Sequence, residues 1–184
     1  MSSVFDTFPI ISTERCLLRK IVATDKQKIF EGLSHAEVIR YYGVSYSSFE
    51  ATKAQMKFYN DLLSNETGIW WAICQKQTSE FLGACGFNNW LKEHRKAEIG
   101  FWLLPQFQQQ GYMSEAVKAI TEFGSSRMDL HRIEAIVENG NNNSSKMLKK
   151  LGFNYEGTHT ECEVKNGRFI DLEVYALIGR KVDK

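Results

Sequence analysis

Hydrophobic and polar positions divide the chain into alternating strand-like and helix-like segments. Runs rich in β-branched and aromatic residues predict strands at 15–21, 69–75, 80–90, 96–104 and 132–138, and near 153–163 and 168–178. Apolar residues at helical spacing predict helices at about 24–33 and 48–63, after Gly111, and just before Gly152. The order β-α-α-β-β-β-α-β-α-β-β predicts a mixed α/β sheet with helices packed on it.

Short local signals predict where some of these elements begin and end. Thr24 and Gln27 have the spacing of a capping box, so we expect Thr24 to cap the first helix. Gly152 follows an amphipathic segment and suits the left-handed position after a helix end. The dipeptide at 166–167, Asn-Gly, favours a tight hairpin turn between the last two strands.

Length and composition limit the classes of function. A chain of 184 residues without a linker-like segment is predicted to form one domain over residues 1–184. The net charge of +1 gives no strong field for nucleic acid or membrane, and the longest apolar run, 69–74, is far shorter than the roughly 20 residues of a membrane span. The start of the chain lacks a signal-peptide pattern. We therefore expect a cytoplasmic protein with no direct nucleic-acid or membrane partner.

The residue types that bind metals are scattered along the chain. The four cysteines, Cys16, Cys74, Cys85 and Cys162, are widely spaced, which favours reduced and mostly buried thiols over disulfides. The four histidines form no pair at metal-ligand spacing. We therefore predict no metal site.

The segment QQQGYMSEA (108–116) joins a predicted strand to a predicted helix. The start of a helix leaves backbone N–H groups without internal acceptors and carries about half a positive charge. Gly111 lets the chain bend and lets another group approach the backbone closely. Neither a P-loop nor a dinucleotide-binding glycine pattern is present. From the residues alone, two interpretations stay open, a polar turn and a site for a phosphate or pyrophosphate.

Three stretches carry a resemblance to a known family. They are AEIGFWLLPQFQQQGYMSEAVKAI (97–120), NNNSSKMLKKLGF (141–153) and NGRFIDLEVYALI (166–178). In this order and spacing they resemble the GNAT acetyltransferase superfamily, and within it the RimJ/RimL-type protein N-acetyltransferases. The resemblance covers nearly the whole chain. It implies the GNAT fold, a mostly antiparallel twisted sheet of about seven strands with a splayed parallel pair, flanked by about four helices.

The resemblance implies acetyl-CoA as co-substrate. In relatives the loop before the helix binds the pyrophosphate, the free edge of the preceding strand binds the pantetheine arm, and an asparagine matching Asn141 contacts that arm. The residues predicted to hold acetyl-CoA are Phe101, Trp102, Leu103, Gln108, Gln109, Gln110, Gly111, Tyr112, Met113, Ser114, Asn141 and Ser144. The chain departs from the family pattern at Gln109, where relatives have a further glycine, and at Met113, where they have a small residue.

Acetyl transfer needs a neutral amine, and because α-amino groups have a pKa near ~8 and lysines near ~10.4, a carboxylate base assists the attack. Two carboxylates are candidates, Glu98 before the splayed strand and Glu163, which corresponds to the glutamate proposed as base in RimL-like enzymes. For each, the alternative is a solvated strand residue. Strand alternation would place Glu161 on the same face as Glu163, which makes it a third and weaker candidate.

The leaving thiolate needs a proton and the developing oxyanion needs donors. Ser144 matches the serine that lies near the sulfur in relatives, although it could instead cap the short helix. Tyr155 and Tyr175 are alternative proton donors. The oxyanion donor is expected to be a backbone N–H near 101–103. In relatives the region of the first two helices shapes the acceptor side, where we expect Tyr41, Tyr42 and Tyr46.

Three functions are consistent with the sequence. The first is acetylation of a protein N-terminus, such as that of a ribosomal protein. The second is acetylation of a small amine, such as a polyamine or an antibiotic. The third is a non-catalytic sensor of acyl-CoA, suggested by the departure at Gln109. The sequence leaves both a monomer and a homodimer open.

Overall fold

The computed structural model describes residues 7–179, which form an eight-stranded sheet in the order β1-β2-β3-β4-β5-β6-β8-β7. The strands are β1 (Ile11–Ser12), β2 (Cys16–Lys20), β3 (Ile69–Gln75), β4 (Phe81–Leu91), β5 (Lys96–Leu103), β6 (Arg132–Glu138), β7 (Asn154–Lys165) and β8 (Arg168–Ile178). The helices are α1 (Lys26–Ser34), α2 (Ala36–Ile39), α3 (Lys53–Ser64), α4 (Tyr112–Arg127) and α5 (Asn142–Lys150). The predicted domain also includes 1–6 and 180–184, which lie outside the described residues.

The pairing within the sheet confirms the predicted mixed α/β architecture. Every neighbouring pair is antiparallel except β5 and β6, which run parallel. All seven predicted strands are present, and the structure adds the two-residue β1 and the one-turn helix α2. Helix α3 begins at Lys53 rather than near Ser48, because turns precede it.

The sheet buries both of its faces in separate apolar clusters, and alternation along each strand assigns side chains to one face or the other. On one face, Ile99 and Leu103 of β5 pack in a cluster with Ile120 of α4 and Leu148 of α5. On the opposite face, Trp102 packs with residues of α1 and α3. Helices α4 and α5 therefore lie on one side of β5, and α1 to α3 lie on the other.

Helix α1 approaches the sheet closely because Gly32 lacks a side chain. A Cβ at this position would lie 2.2 Å from the Trp102 ring, inside van der Waals contact. Trp102 is buried, and its indole N–H donates to the Tyr59 hydroxyl of α3 at 3.4 Å. This contact fixes α1 and α3 over the C-terminal end of β5.

The predicted helix and hairpin ends are confirmed in two cases and wrong in one. Gly152 follows α5 with φ +90°, and Gly167 has φ +75° in the turn between β7 and β8, so both use the left-handed backbone that favours glycine. Thr24 is not a cap. It lies within a 3₁₀ turn, and the carboxylate of Asp25 accepts the N–H of Val22 at 2.8 Å.

The cysteines are all free thiols, as expected. Cys16, Cys74 and Cys85 are buried, whereas Cys162 is exposed on β7. Within residues 7–179, no group of three or more His, Cys, Asp or Glu side chains has an arrangement that could hold a metal ion. In the same range, none of the helices combines the length and the apolar character needed to cross a membrane.

Candidate active site

A cleft opens in the sheet where the two parallel strands separate. β5 and β6 pair only at Lys96 with Arg132, Ala97 with Ile133, and Glu98 with Glu134. Beyond Glu98 the strands diverge, so the remaining edge of β5 has no strand partner on that side. The predicted splayed pair is confirmed, and Glu98 lies at its apex.

The free edge of β5 directs backbone N–H groups into this cleft. The N–H of Leu104 donates to the carbonyl of Leu82 on β4, so the N–H groups of even-numbered residues of β5 face β4. Antiparallel hydrogen bonding alternates along a strand. The N–H groups of Phe101 and Leu103 therefore point the other way, into the cleft. The side chain of Trp102 lies in the core and its backbone N–H faces β4, so the prediction that Trp102 helps to hold acetyl-CoA is wrong for both groups.

The loop ahead of α4 presents a row of unsatisfied donors. The first α-helical bond of this segment is from the N–H of Glu115 to the carbonyl of Gly111, at 3.1 Å. Among the described residues, the backbone N–H groups of 109–114 have no hydrogen-bond acceptor. Six consecutive free N–H groups at the positive end of a 16-residue helix have the geometry of an anion site.

Two left-handed residues shape this loop. Gly111 has φ +84°, which a glycine adopts without strain. Gln109 has φ +58°, which costs a residue with a Cβ roughly 1–2 kcal/mol. The position where relatives were expected to carry a further glycine therefore has a backbone that favours glycine, and Gln109 adopts the same conformation with strain.

The β1–β2 turn holds the loop in place through Glu115 of the first turn of α4. The Glu115 carboxylate accepts from the Thr13 hydroxyl at 2.5 Å and from the Arg15 backbone N–H and guanidinium, both at 2.8 Å. The same guanidinium donates to the carbonyl of Gln110 at 3.0 Å and lies 4.6 Å from the centre of the Tyr112 ring. Burial opposes ionisation of Glu115, but these hydrogen bonds and the Arg15 charge lower its pKa.

The other predicted loop residues support the local structure. The Gln108 side chain donates to the carbonyl of Leu103 at 3.1 Å, and the Gln110 side chain donates to the carbonyl of Gln106 at 2.7 Å. Met113 is partly buried against the core of the α4 face, which leaves its backbone to face the loop. Ser114 completes the first turn of α4.

Glu98 has the environment of a general base. Its carboxylate is half-buried and accepts one hydrogen bond, from the Asn89 side chain at 3.1 Å. Burial raises the pKa of Glu98, and the nearby negative charges of Glu134 and Glu163 raise it further. The Glu134 carboxylate is paired with the Arg132 guanidinium at 2.7 Å, whereas Glu98 accepts only from the neutral Asn89 amide within the described residues. A raised pKa makes this carboxylate a better proton acceptor near neutral pH.

Glu163 lies on the same side of the cleft as Glu98. It is exposed on β7 and opposite Ile170 of β8, and its charge contributes to the raised pKa of Glu98. Glu161 lies in a β-bulge between His159 and Glu163, with φ +50°, and its N–H donates to the Asp171 carboxylate at 2.8 Å. The prediction that simple strand alternation places Glu161 on the same face as Glu163 is therefore wrong.

Neighbouring side chains of α5 have distinct roles. The side-chain oxygen of Asn141 accepts the N–H of Ser144 at 3.3 Å, so Asn141 caps the helix, and the alternative of Ser144 as the cap is wrong. The Asn141 side-chain amide remains a donor. Ser144 is half-buried, and within the described range no hydrogen bond involves its hydroxyl. The hydroxyl of Ser144 can therefore donate a proton to a ligand.

A hydrogen-bonded cluster under α5 is not predicted from the sequence. One oxygen of Glu173 accepts from the Ser145 hydroxyl at 2.9 Å and from the Tyr175 hydroxyl at 2.7 Å. Tyr175 is only 1% exposed, and its hydroxyl holds the same Glu173 carboxylate that links Ser145 of α5 to β8. Tyr155 is half exposed, and its hydroxyl contacts Thr158. Adjacent serines followed by an E-x-Y pattern in the last strand are the only sequence signal for this cluster.

Two of the three tyrosines expected near the acceptor side lie on the face of Glu98. Burial raises the pKa of Tyr42, and Tyr59, Tyr46 and Glu98 act in the same direction, which indicates that Glu98 is close to this tyrosine. The hydroxyl of Tyr46 donates to the side chain of Gln55 at 2.9 Å. Tyr41 lies under the guanidinium of Arg40, 5.1 Å from the ring centre.

Comparison with known proteins shows one matching family and relatives that are described as acetyltransferases. Residues 15–154 match the family described as acetyltransferase (GNAT) domain. The uncharacterized N-acetyltransferase YoaA of Bacillus subtilis (strain 168) is 35% identical over 172 residues, covering 93% of this chain and 97% of that protein. The ribosomal-protein-serine acetyltransferase of Escherichia coli (strain K12) is 30% identical over 99 residues, covering 54% of this chain and 55% of that protein.

A solved structure has the same fold. It is RimL, a ribosomal L7/L12 alpha-N-protein acetyltransferase, in complex with coenzyme A, with a TM-score of 0.83 and 23% identity. The match covers 92% of this chain and 98% of that one. At this identity the likeness concerns the fold alone.

Proposed function

This chain belongs to the GNAT acetyltransferase family and is an acyltransferase, and from this premise we propose that it acetylates the α-amino group at a protein N-terminus, using acetyl-CoA. The observation that carries the proposal is the arrangement around the cleft. Free backbone N–H groups lie at residues 109–114 and along the open edge of β5, and the Glu98 carboxylate, which has no cationic partner among the described residues, lies at the apex of the cleft. Membership of this enzyme family disfavours the sensor hypothesis.

The described residues suit acetyl-CoA as the co-substrate. The free N–H groups of 109–114 would bind the pyrophosphate. The edge of β5 at Phe101 and Leu103 would hydrogen-bond the amide groups of the pantetheine arm, as an added strand does. The Asn141 amide offers a further donor to that arm. The thioester would then lie in the cleft near Glu98.

The catalytic steps follow from the groups around the thioester. Glu98, directly or through one water, accepts a proton from the ammonium of the acceptor, and the neutral amine attacks the thioester carbon. The backbone N–H of Phe101 or Leu103 stabilises the oxyanion. When the carbon–sulfur bond breaks, the nitrogen loses its second proton to the Ser144 oxygen while the Ser144 hydroxyl gives its own proton to the thiolate, so that the serine ends as it began. The first proton stays on the base until it exchanges with water. Glu163 is the alternative base.

An N-terminal amine suits this arrangement better than a lysine. An α-amino group has a pKa near ~8, so a single carboxylate of raised pKa can accept its proton near neutral pH, whereas a lysine near ~10.4 demands a stronger base. Similarity to the ribosomal-protein-serine acetyltransferase of Escherichia coli supports a protein acceptor, such as a ribosomal protein. A polyamine is the second candidate, because the adjacent charges of Glu98 and Glu163 would attract a second ammonium group.

An acceptor panel tests the proposal. The purified protein is incubated with acetyl-CoA, and free thiol is measured with peptides that carry a free N-terminal serine, with the same peptides blocked at the N-terminus but containing lysine, and with spermidine. We expect thiol release with the free N-termini and little with the blocked peptides. Faster release with spermidine than with every peptide would contradict a protein acceptor.

A further inference from the structure

A basic cavity lies beside the candidate active site. It has a volume of about 360 Å³, which falls in the lower part of the range for ligand pockets. The name "basic cavity" denotes the space lined by Arg40, Glu138, Lys165, Asn166, Arg168 and Ile170. It lies between the end of α2, the end of β6 and the β7–β8 turn.

The cavity has an excess of positive charge. The Lys165 ammonium donates to the Glu138 carboxylate and to the carbonyl of Arg40, both at 2.6 Å, so Glu138 is already neutralised. Across residues 7–179, neither the Arg40 nor the Arg168 guanidinium has a carboxylate partner, and the Arg40 guanidinium lies over the Tyr41 ring. Two exposed arginines without an ion-pair partner in this range therefore line the cavity.

The register of the sheet connects this cavity to the catalytic carboxylates. Ile170, which lines the cavity, is opposite Glu163. Glu138 is four residues beyond Glu134, the register partner of Glu98, and strand alternation puts both on the face of Glu98. At about 3.3 Å per strand residue, the cavity begins roughly 13 Å from the apex of the cleft.

We propose that the basic cavity binds carboxylates of the acceptor, so that the substrates are protein N-termini with Asp or Glu at about the third to fifth residue. This inference rests on the proposed function. An extended peptide also rises about 3.3 Å per residue, so an N-terminal amine at Glu98 places its fifth residue at the start of the cavity, roughly 13 Å away. Long arginine side chains extend over the remaining one or two residues toward the third and fourth. Guanidinium groups bind carboxylates through paired hydrogen bonds. The same arginines repel the positive charges of a polyamine, so they favour an acidic peptide over a polyamine as acceptor.

The experiment compares three six-residue peptides with free N-terminal serine. They carry two acidic residues, the corresponding amides, or two lysines at positions three to five. Binding of fluorescently labelled peptides is followed by anisotropy in the presence of CoA, and kcat and KM are measured with acetyl-CoA. We expect kcat/KM for the acidic peptide to exceed that for the amide peptide by about tenfold, mostly through KM, and to fall as salt is added.

The arginine variants assign the effect to the cavity. Arg40→Gln and Arg168→Gln should each lower the preference for the acidic over the amide peptide about threefold or more, with kcat little changed. Arg127→Gln is the matched control, since Arg127 is exposed in the last turn of α4 and takes part in no ion pair within residues 7–179. Equal kcat/KM for acidic and amide peptides, or a preference unchanged in both cavity variants, overturns the inference.

The two proposals fail in different ways. Acetylation of all three peptides at similar rates rejects the basic cavity as a determinant and leaves the proposed function intact. Acetylation of spermidine but of no peptide rejects the proposed function. If the acidic peptide still binds in that case, and binds more weakly to Arg168→Gln, the cavity remains an anion site. Failure of the acidic peptide to bind at all rejects the cavity inference.

Discussion

Replacement of Gly111 by valine should weaken acetyl-CoA binding while leaving the fold intact. Gly111 has φ +84° and lies between the free N–H groups of the loop and the first turn of α4. Valine strongly disfavours this backbone conformation. Its Cβ would also lie 3.1 Å from the Arg15 guanidinium, which is the end of a flexible side chain and can move. The backbone is therefore the main obstacle.

The expected magnitude follows from that backbone. A left-handed conformation costs an L-residue about 1–2 kcal/mol. Residues 109–111 are exposed, so the loop of the variant can relax in the free protein without disturbing the core. The cost then appears on binding, when the N–H groups must return to the conformation that faces the pyrophosphate. A loss of 1–2 kcal/mol corresponds to a rise of about 5- to 30-fold in Kd.

The assay is titration calorimetry with acetyl-CoA, together with urea unfolding. Gly167→Val is the matched control, because Gly167 has φ +75° in the β7–β8 turn, and a Cβ added there would meet no atom within 4 Å. We expect a weaker affinity for acetyl-CoA in Gly111→Val only, and a loss of at most about 1–2 kcal/mol of unfolding free energy in either variant. Unchanged affinity in Gly111→Val would refute the assignment of this loop to the pyrophosphate.

Three further substitutions test separate parts of the site. Gln109→Gly removes the strain at φ +58° and should tighten acetyl-CoA binding several-fold by calorimetry; weaker binding would mean that the glutamine side chain itself contributes. Glu98→Gln should lower kcat/KM about 10²-fold or more. It should also remove from the acid side of the pH–rate profile the ionisation of Glu98, whose pKa burial raises above the ordinary carboxyl range, so that only the ionisation of the acceptor amine remains there; Glu163→Gln is the control, and the reverse result would make Glu163 the base. Glu115→Gln should lower the unfolding free energy by about 1 kcal/mol in urea at neutral pH. Since the folded-state pKa of Glu115 is lowered from 4.5, the difference between wild type and variant should vanish as pH falls below that value and through the lowered pKa, and a constant difference would contradict the role of its charge.

Local pattern is sufficient to predict most of the fold. The strand at 132–138 is predicted at its observed bounds, because alternation and β-branched residues there agree with burial on the sheet. β1 and α2 escape prediction because two residues and one helical turn are too short to show a period. The local spacing predicts Thr24 as the cap of the first helix, whereas in the structure the Asp25 carboxylate accepts the Val22 N–H. The same carboxylate accepts from the Arg19 guanidinium, a contact between β2 and the start of α1 that the spacing does not show.

Candidate site residues are predictable where a motif has fixed spacing and escape prediction where contacts are distant in sequence. The loop at 108–114 and Asn141 follow from the family pattern. The interaction of Ser145 with Glu173, 28 residues apart, depends on α5 lying over β8. The same holds for Arg15 and Glu115, which are separated by 100 residues and hold the loop against the β1–β2 turn.

The sequence by itself determined the order of elements and the position of the loop that precedes α4, because each depends on neighbours a few residues apart, and its motifs supplied the candidate catalytic side chains. The tertiary structure decided that β5 and β6 separate after Glu98, that the charge of Glu163 reaches Glu98, and that two arginines line one cavity. Burial and electric fields act through space. They therefore depend on how distant segments pack, which no local pattern specifies.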